Sequence, residues 1–348
     1  MLQKEETYRP LSCIYLDLWY NIACSNPADF SPTGMKGGKS AAKMVLTDKF
    51  RRFDPMKIDV IGVPLWEGSD NPGTEKGPEL LLNAGLRDKI MQKHTLCSVQ
   101  TLDFSREETE KSSMMHLAPV KNCCKKLEEA VAASVEADHF PLVLGGDHAL
   151  AIGTLAGLNH KIPAKDLSVI WLDAHTDIHT DEDSDSHHIH GMPVSFAMGR
   201  GDRRLVESFG REEAKILPEN IYYIGSRSVD PEEKETIEKL GIRMYDMDKI
   251  RAMGIPAVLK EILEEIHTPS LHLSFDVDFL DGDSYKATGL PVPDGPSVAD
   301  GTACLKTLLG SGKVCSMDFV EYSPVHDSRG EGMRDCMTLL DAVLETLK

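Results

Sequence analysis

Three short motifs carry residues that could bind metal ions and activate water. The motif GGDH occupies residues 145–148, DAHTD occupies 173–177 and DVD occupies 276–278. They supply six candidate metal ligands, which are His148, Asp173, His175, Asp177, Asp276 and Asp278. Four carboxylates that converge on one point repel one another strongly unless cations neutralise them. The sequence therefore predicts a dinuclear metal hydrolase, and oxygen and imidazole ligands without cysteine favour Mn²⁺ over Mg²⁺, Co²⁺ or Zn²⁺.

Each acidic motif follows an apolar run that is typical of a buried strand, LSVIWL at 167–172 and LHLSF at 271–275. Side chains alternate between the two faces of a strand, so ligands two residues apart at a strand end project to the same side. A single acidic pair would more simply cap the loop after its strand. Three clusters that follow three strand-like runs favour a metal site instead.

The order of the predicted elements indicates the fold. Strand-like and helix-like segments alternate from about Lys57 onward, without a polar linker long enough to separate two domains. This predicts one α/β catalytic domain, residues 56–348, in which helices cover both faces of a mainly parallel sheet in three layers. One of the helices is predicted over Pro78–Lys93. Open sheets of this kind bind ligands at the carboxyl ends of their strands, where all three motifs fall.

Composition argues against several classes of function. The formal net charge is −18 and no basic stripe offsets it, which argues against nucleic-acid binding. Residues 1–55 are interpreted as an N-terminal extension that need not be ordered, and Met56 could be an internal start. The apolar segment 11–25 is interrupted by Asp17 and is too short to span a bilayer. The eight cysteines include no C-x-x-C pair, which favours free thiols and a cytoplasmic location.

Four motifs resemble those of the ureohydrolase family, and of its arginases most closely: GGDH at 145–148, DAHTDI at 173–178, HGMPVSF at 190–196 and SFDVD at 274–278. The resemblance runs from about Lys57 to the end of the chain and implies an arginase-like α/β/α fold with two Mn²⁺ per subunit. One ion would be surrounded by His148, Asp173, Asp177 and Asp276. The other would be held by Asp173, His175, Asp276 and Asp278. A hydroxide bridging the ions would attack the guanidinium carbon of L-arginine, giving L-ornithine and urea.

The same resemblance implies the remaining roles. Asp177 would relay a proton to the departing amine, His190 would shuttle protons, and Glu321 would grip the substrate guanidinium. The implied substrate-binding residues are His179, Ser184, Ser186, Asp230, Glu233 and Glu321. Members of the family are generally trimers or hexamers, so a homo-oligomer is expected.

The predicted substrate loop departs from the arginase pattern. His179 and His188 stand where arginases usually have Asn. Outside the loop, Ser228 replaces an Asp and Leu290 replaces a Thr that lines the site. The loop also carries four acids, at positions 181, 182, 183 and 185. They would repel a carboxylate, and they are interpreted as a solvated face because runs of charge usually have that role.

Other functions are compatible with these motifs. An agmatinase or a guanidinobutyrase shares the metal chemistry, and agmatine has no carboxylate for an acidic loop to repel. Formiminoglutamase has less motif support. Deacetylases of acetyl-lysine and acetyl-polyamines share the fold but keep one catalytic metal, which the six ligands disfavour. A catalytically inactive relative would bind metal without turnover.

Overall fold

An eight-stranded sheet organises the part of the chain that the computed structural model describes, residues 55–211 and 213–348. Its strands are β1 (Lys57–Val63), β2 (Thr95–Thr101), β3 (Phe140–Gly145), β4 (Leu167–Leu172), β5 (Ile221–Ile224), β6 (Arg243–Tyr245), β7 (Ser270–Asp276) and β8 (Val314–Val320). Their order across the sheet is β2-β1-β3-β8-β7-β4-β5-β6. All neighbouring strands pair in parallel, so the sheet is entirely rather than mainly parallel.

Helices cover both faces of this sheet. Within the described residues they are α1 (Gly77–Leu81), α2 (Arg87–Lys93), α3 (Leu117–Glu136), α4 (Ala151–Leu158), α5 (Pro193–Ala197), α6 (Arg203–Val206), α7 (Pro231–Leu240), α8 (Met247–Met253), α9 (Ile255–Glu265), α10 (Val298–Gly310) and α11 (Glu331–Thr346). Val60 belongs to the apolar core that contains α10 and α11. Its neighbour Ile61 belongs to the core that contains α3 and α4. The predicted three-layer α/β/α fold is therefore confirmed.

Four central strands bring the candidate site together. β3, β8, β7 and β4 lie side by side, and parallel pairing aligns their carboxyl ends along one edge of the sheet. The polypeptide that leaves these four ends carries His148, Glu321, Asp276 and Asp173, respectively. These strands are buried on both faces, so their apolar sequences are continuous rather than alternating.

Some local elements differ from the prediction. The single helix predicted over Pro78–Lys93 is wrong: α1 and α2 are separated by a wide turn, in which Gly85 has a φ of 99°. A positive φ interrupts a right-handed helix at low cost only at glycine. Strands β2 and β6 were not predicted. They are the two edge strands of the sheet, every residue of β2 is at least partly exposed, and β6 has only three residues. The prediction for residues 1–55 falls almost entirely outside the described residues and stays a prediction.

No helix among residues 55–211 and 213–348 is both long enough and apolar enough to cross a membrane.

Close packing fixes the helix that follows the GGDH motif. Gly153 of α4 lies against α3, where a Cβ atom would stand 2.6 Å from the carbonyl oxygen of Cys124. Gly157, one turn later, would meet the Cβ atom of Val131 at the same distance. These two glycines therefore allow the backbones of α3 and α4 to approach closely, which holds the start of α4 beneath the candidate site.

We expect Gly153→Ala to lower the free energy of unfolding by about 1–3 kcal/mol, because the added methyl group overpacks a rigid helix contact. Urea denaturation measures this loss. Gly310→Ala in α10 is the matched control, since its Cβ atom would meet nothing closer than Thr346 Cγ2 at 3.9 Å. Equal stability of the two variants would contradict this account of the helix contact.

Candidate active site

The six predicted metal ligands lie together at the carboxyl edge of the sheet. The Nδ1 atom of His148 lies 3.0 Å from Asp173 Oδ2, 3.1 Å from Asp177 Oδ2 and 3.2 Å from Asp276 Oδ2. The Nδ1 atom of His175 lies 2.9 Å from Asp278 Oδ2 and 3.5 Å from Asp173 Oδ1. Asp173 thus belongs to both groups, as a ligand shared between two ions would.

The chemistry of this donor set fits divalent cations. Burial, with the neighbouring Asp173, raises the pKa of Asp177 to about 6 and that of Asp278 to about 6. Burial, with Asp278 and Asp173, raises the pKa of Asp276 well above its usual range. Three carboxyl groups therefore resist ionisation unless positive charge is added. The buried atoms His148 Nδ1 and Asp173 Oδ2 face each other at 3.0 Å, yet neither forms a hydrogen bond with any described residue.

Residues that the sequence analysis did not single out hold His148 in place. Its Nε2 atom lies 2.7 Å from the hydroxyl of Ser274, which leaves Nδ1 facing the carboxylates. Its ring stacks on Trp171 with the ring centroids 4.0 Å apart. A sequence signal existed for both residues, since Ser274 and Trp171 each stand two positions before a predicted aspartate ligand on a strand and share its face.

A half-buried arginine, Arg227, fixes the loop that carries Asp278. The guanidinium of Arg227 donates to six backbone carbonyl oxygens, those of Gly225, Asp278, Phe279, Leu280, Val292 and Pro293. Arg227 therefore contacts only the backbone of this loop, and the carboxylate of Asp278 is left free to face His175. No sequence pattern indicates this role, because five of the six acceptors lie 51–66 residues away along the chain.

Two residues of the site have backbones in the left-handed region. Asp177 has a φ of 49° and Glu321 a φ of 66°. Residues other than glycine adopt this conformation at a cost, and such strain often accompanies functional sites. The carboxylate of Glu321 is anchored at the same time, since its Oε1 accepts the backbone N–H of His148 at 2.8 Å. His190 Nδ1 lies 3.5 Å from that oxygen.

The predicted substrate residues surround one cavity of about 260 Å³ beside the candidate metal centre. The cavity is lined by His179, Ser184, Ser186, Asp230, Glu233 and Glu321, together with His175, Asp177, His190, Asp276 and Asp278. Ser228 and Leu290, two of the departures from the arginase pattern, also line it. Catalytic and substrate-binding candidates therefore face the same small space.

Contacts within the loop refine the predicted roles. His179 Nε2 lies 3.1 Å from Asp230 Oδ2. The carboxylate of Glu233 is buried and accepts the backbone N–H groups of Asp230 and Ile178 at 3.0 and 3.4 Å, so it also supports the site. The predicted solvated acidic face is only partly right. Glu182 and Asp185 are exposed, whereas Asp181 and Asp183 are partly buried. The carboxylate of Asp183 accepts the backbone N–H of Thr180 at 2.6 Å.

Comparison with known proteins agrees with this arrangement. Residues 56–344 match the model of the arginase family. Arginase from Bacillus subtilis is 34% identical over 290 residues, which cover 82% of this chain and 97% of that protein. Its crystal structure aligns with a TM-score of 0.78 over 83% of this chain and 98% of that chain.

Two further solved structures are similar. Arginase from Entamoeba histolytica, solved in complex with L-ornithine, is 28% identical, with a TM-score of 0.77 over 84% of this chain and 99% of that chain. A structure described as a hypothetical agmatinase from Burkholderia thailandensis is 23% identical, with a TM-score of 0.66 over 84% of this chain and 86% of that chain. The last similarity shows the fold alone.

The fold and the two groups of candidate metal ligands are typical of the class of α/β metal-dependent hydrolases. More particularly, the chain belongs to the arginase family, whose members are hydrolases that act on guanidino compounds. The family predicted from the motifs is thereby confirmed.

We expect Ser274→Ala to weaken Mn²⁺ binding about 10–100-fold, the usual effect of removing a hydrogen bond to a ligating histidine. Metal content after dialysis against graded Mn²⁺ concentrations measures the change. Ser316→Ala serves as the control, because its hydroxyl contacts His272 at 2.8 Å rather than a predicted ligand. Unchanged affinity in Ser274→Ala would remove Ser274 from the support of the metal centre.

Proposed function

We propose that the protein hydrolyses L-arginine to L-ornithine and urea with two Mn²⁺ ions held by the six predicted ligands. One observation carries the proposal: predicted metal ligands and predicted amino-acid-binding residues line the same cavity. Sequence identities of 33–36% to curated arginases support this choice of substrate. A cavity of about 260 Å³ suits a small guanidino compound rather than a polymer.

Glu321 is suited to hold the guanidinium. Its Oε1 is committed to the backbone of His148, whereas Oε2 has no donor among the described residues. A guanidinium N–H can donate to that free oxygen in a charge-assisted hydrogen bond. This contact would fix the guanidinium carbon beside the metal centre. When bound, the two ions supply Lewis-acid stabilisation and lower the pKa of water beside that carbon.

Hydrolysis also requires a proton on the nitrogen that leaves as the side-chain amine of ornithine. The carboxylate of Asp177 borders the cavity and would carry that proton to the leaving nitrogen. His190 borders the cavity as well. Burial alone would lower the pKa of His190. The nearby carboxylates of Glu321, Asp147 and Asp177 raise this pKa by more than burial lowers it, so the net shift is upward. A histidine in this position would exchange protons between the site and solvent.

The amino-acid end of the substrate would meet the loop after Asp177. The hydroxyls of Ser184 and Ser186 lie 3.4 Å apart and would donate to the α-carboxylate. The side chain of Asp230 is 70% exposed, and its carboxylate would accept hydrogen bonds from the α-ammonium group. His179 contacts Asp230 and would hold that carboxylate in position.

Urea release tests the substrate assignment directly. Mn²⁺-loaded protein is offered L-arginine, agmatine and 4-guanidinobutyrate side by side, and kcat/KM is compared. We expect arginine to be preferred, because only arginine satisfies both the serine hydroxyls and Asp230. Preference for agmatine would overturn the substrate but retain the hydrolase. Asp185 lines the cavity and favours that second candidate, because agmatine has no carboxylate for this acid to repel. A measured content of two metal ions per chain would support either an arginase or an agmatinase over a deacetylase, which keeps one metal ion.

We expect His190→Ala to reduce kcat while the Mn²⁺ content per chain stays unchanged, because His190 is predicted to move protons and not to bind metal. General acid–base groups typically contribute about 10²–10⁴-fold to the rate. Steady-state urea release and elemental analysis of the same preparation measure both quantities. His188→Ala is the neighbouring histidine control. An unaltered rate in His190→Ala would make His190 a structural residue.

A further inference from the structure

A second group of possible metal ligands lies at the opposite end of the sheet. Asp59, Cys97 and His139 each offer one donor atom, and the three atoms lie within 4.8 Å of one another. Asp59 is near the start of β1 and His139 directly precedes β3. The candidate active site follows the other end of β3, and the six residues of that strand span about 20 Å. The two groups are therefore separate.

An irregularity in the edge strand creates this group. Ile58 pairs with Leu96 and Asp59 pairs with Ser98, so Cys97 is an extra residue in β2. Leu96 and Val99 both pack against the core that contains α10 and α11. Cys97 and Ser98 consequently both lie beside Asp59, on the side of the sheet that α3 covers. A β-bulge commonly redirects a side chain in this way.

The carboxylate of Asp59 is buried, and the groups that contact it are hydroxyls and one imidazole. It is 7% exposed, and its contacts are His139 Nδ1 at 2.9 Å and the Ser98 hydroxyl at 2.5 Å. Among the described residues, no lysine or arginine forms an ion pair with it. Cys97 is exposed, so a cation can reach the group from solvent.

We propose that Asp59, Cys97 and His139 bind a Zn²⁺-like cation at a site distinct from the candidate active site. A carboxylate oxygen, an imidazole nitrogen and a thiolate sulfur form a typical donor set for Zn²⁺, with water as the fourth ligand. The bound ion would join the edge strand β2 to β1 and to the start of β3. It would stabilise the folded chain without taking part in hydrolysis.

Cobalt is the probe for this site, because a thiolate bound to Co²⁺ gives a charge-transfer band in the near ultraviolet. The full chain is first saturated with Mn²⁺ and then titrated with CoCl₂, with a phosphine as the reductant. None of the six predicted catalytic ligands is a cysteine, so Co²⁺ that exchanges into that centre gives no such band. We expect a band that saturates at the intensity of one thiolate-bound Co²⁺ per chain and disappears when Zn²⁺ is added.

Matched variants locate the ligands. Cys97→Ser and His139→Gln should abolish the band, and Asp59→Asn should weaken Co²⁺ binding, because an amide oxygen carries no charge. Cys315→Ser should keep it, since Cys315 lies outside the group and is only partly buried. Cys97 is exposed, so Cys97→Ser is expected to fold and to keep its urea release. The absence of a band in the wild-type chain, or a band that persists in Cys97→Ser, would overturn the proposal whatever the outcome of the arginase assay.

Discussion

Repulsion among buried carboxylates is the constraint on which the candidate active site depends. Asp173, Asp177, Asp276 and Asp278 are all less than one-tenth exposed and lie at neighbouring strand ends. Parallel pairing of the central strands forces these ends to one edge, so the acids cannot separate without disrupting the sheet. Added cations are the simplest way to stabilise this arrangement, which is why the predicted metal centre lies at the edge of a parallel sheet.

The surrounding contacts direct the ligands without competing for their charges. The basic group Arg227 lies next to the loop of Asp278, yet it donates only to backbone carbonyl oxygens. Ser274 holds the far nitrogen of His148, and the carboxylate of Asp147 accepts backbone N–H groups of Gly68 and Ala149. A lysine or arginine paired with the clustered aspartates would occupy the position of an ion. Backbone donors and neutral hydroxyls instead position the site and leave its negative charge available.

Local patterns made the central sheet and the clustered aspartates predictable. Alternation of side chains along a strand determines where Asp276 and Asp278 point, and this depends only on neighbouring residues. The role of Arg227 depends on carbonyl groups up to 66 residues away, so no local pattern reveals it. The break at Gly85 and the extra residue Cys97 are single-residue irregularities, to which periodicity is insensitive. The identity of the substrate depends on how the loop after Asp177 folds back, which spacing alone does not specify.

The left-handed backbones of Asp177 and Glu321 set stability against activity at these two positions. A glycine would adopt either conformation without strain, so replacing either residue by glycine would relax the backbone while removing a carboxylate from the site. Random screening for thermal tolerance alone would therefore tend to enrich inactive variants at these positions. Directed evolution of a more robust enzyme from this chain should keep both residues fixed and seek its gains in the helical layers.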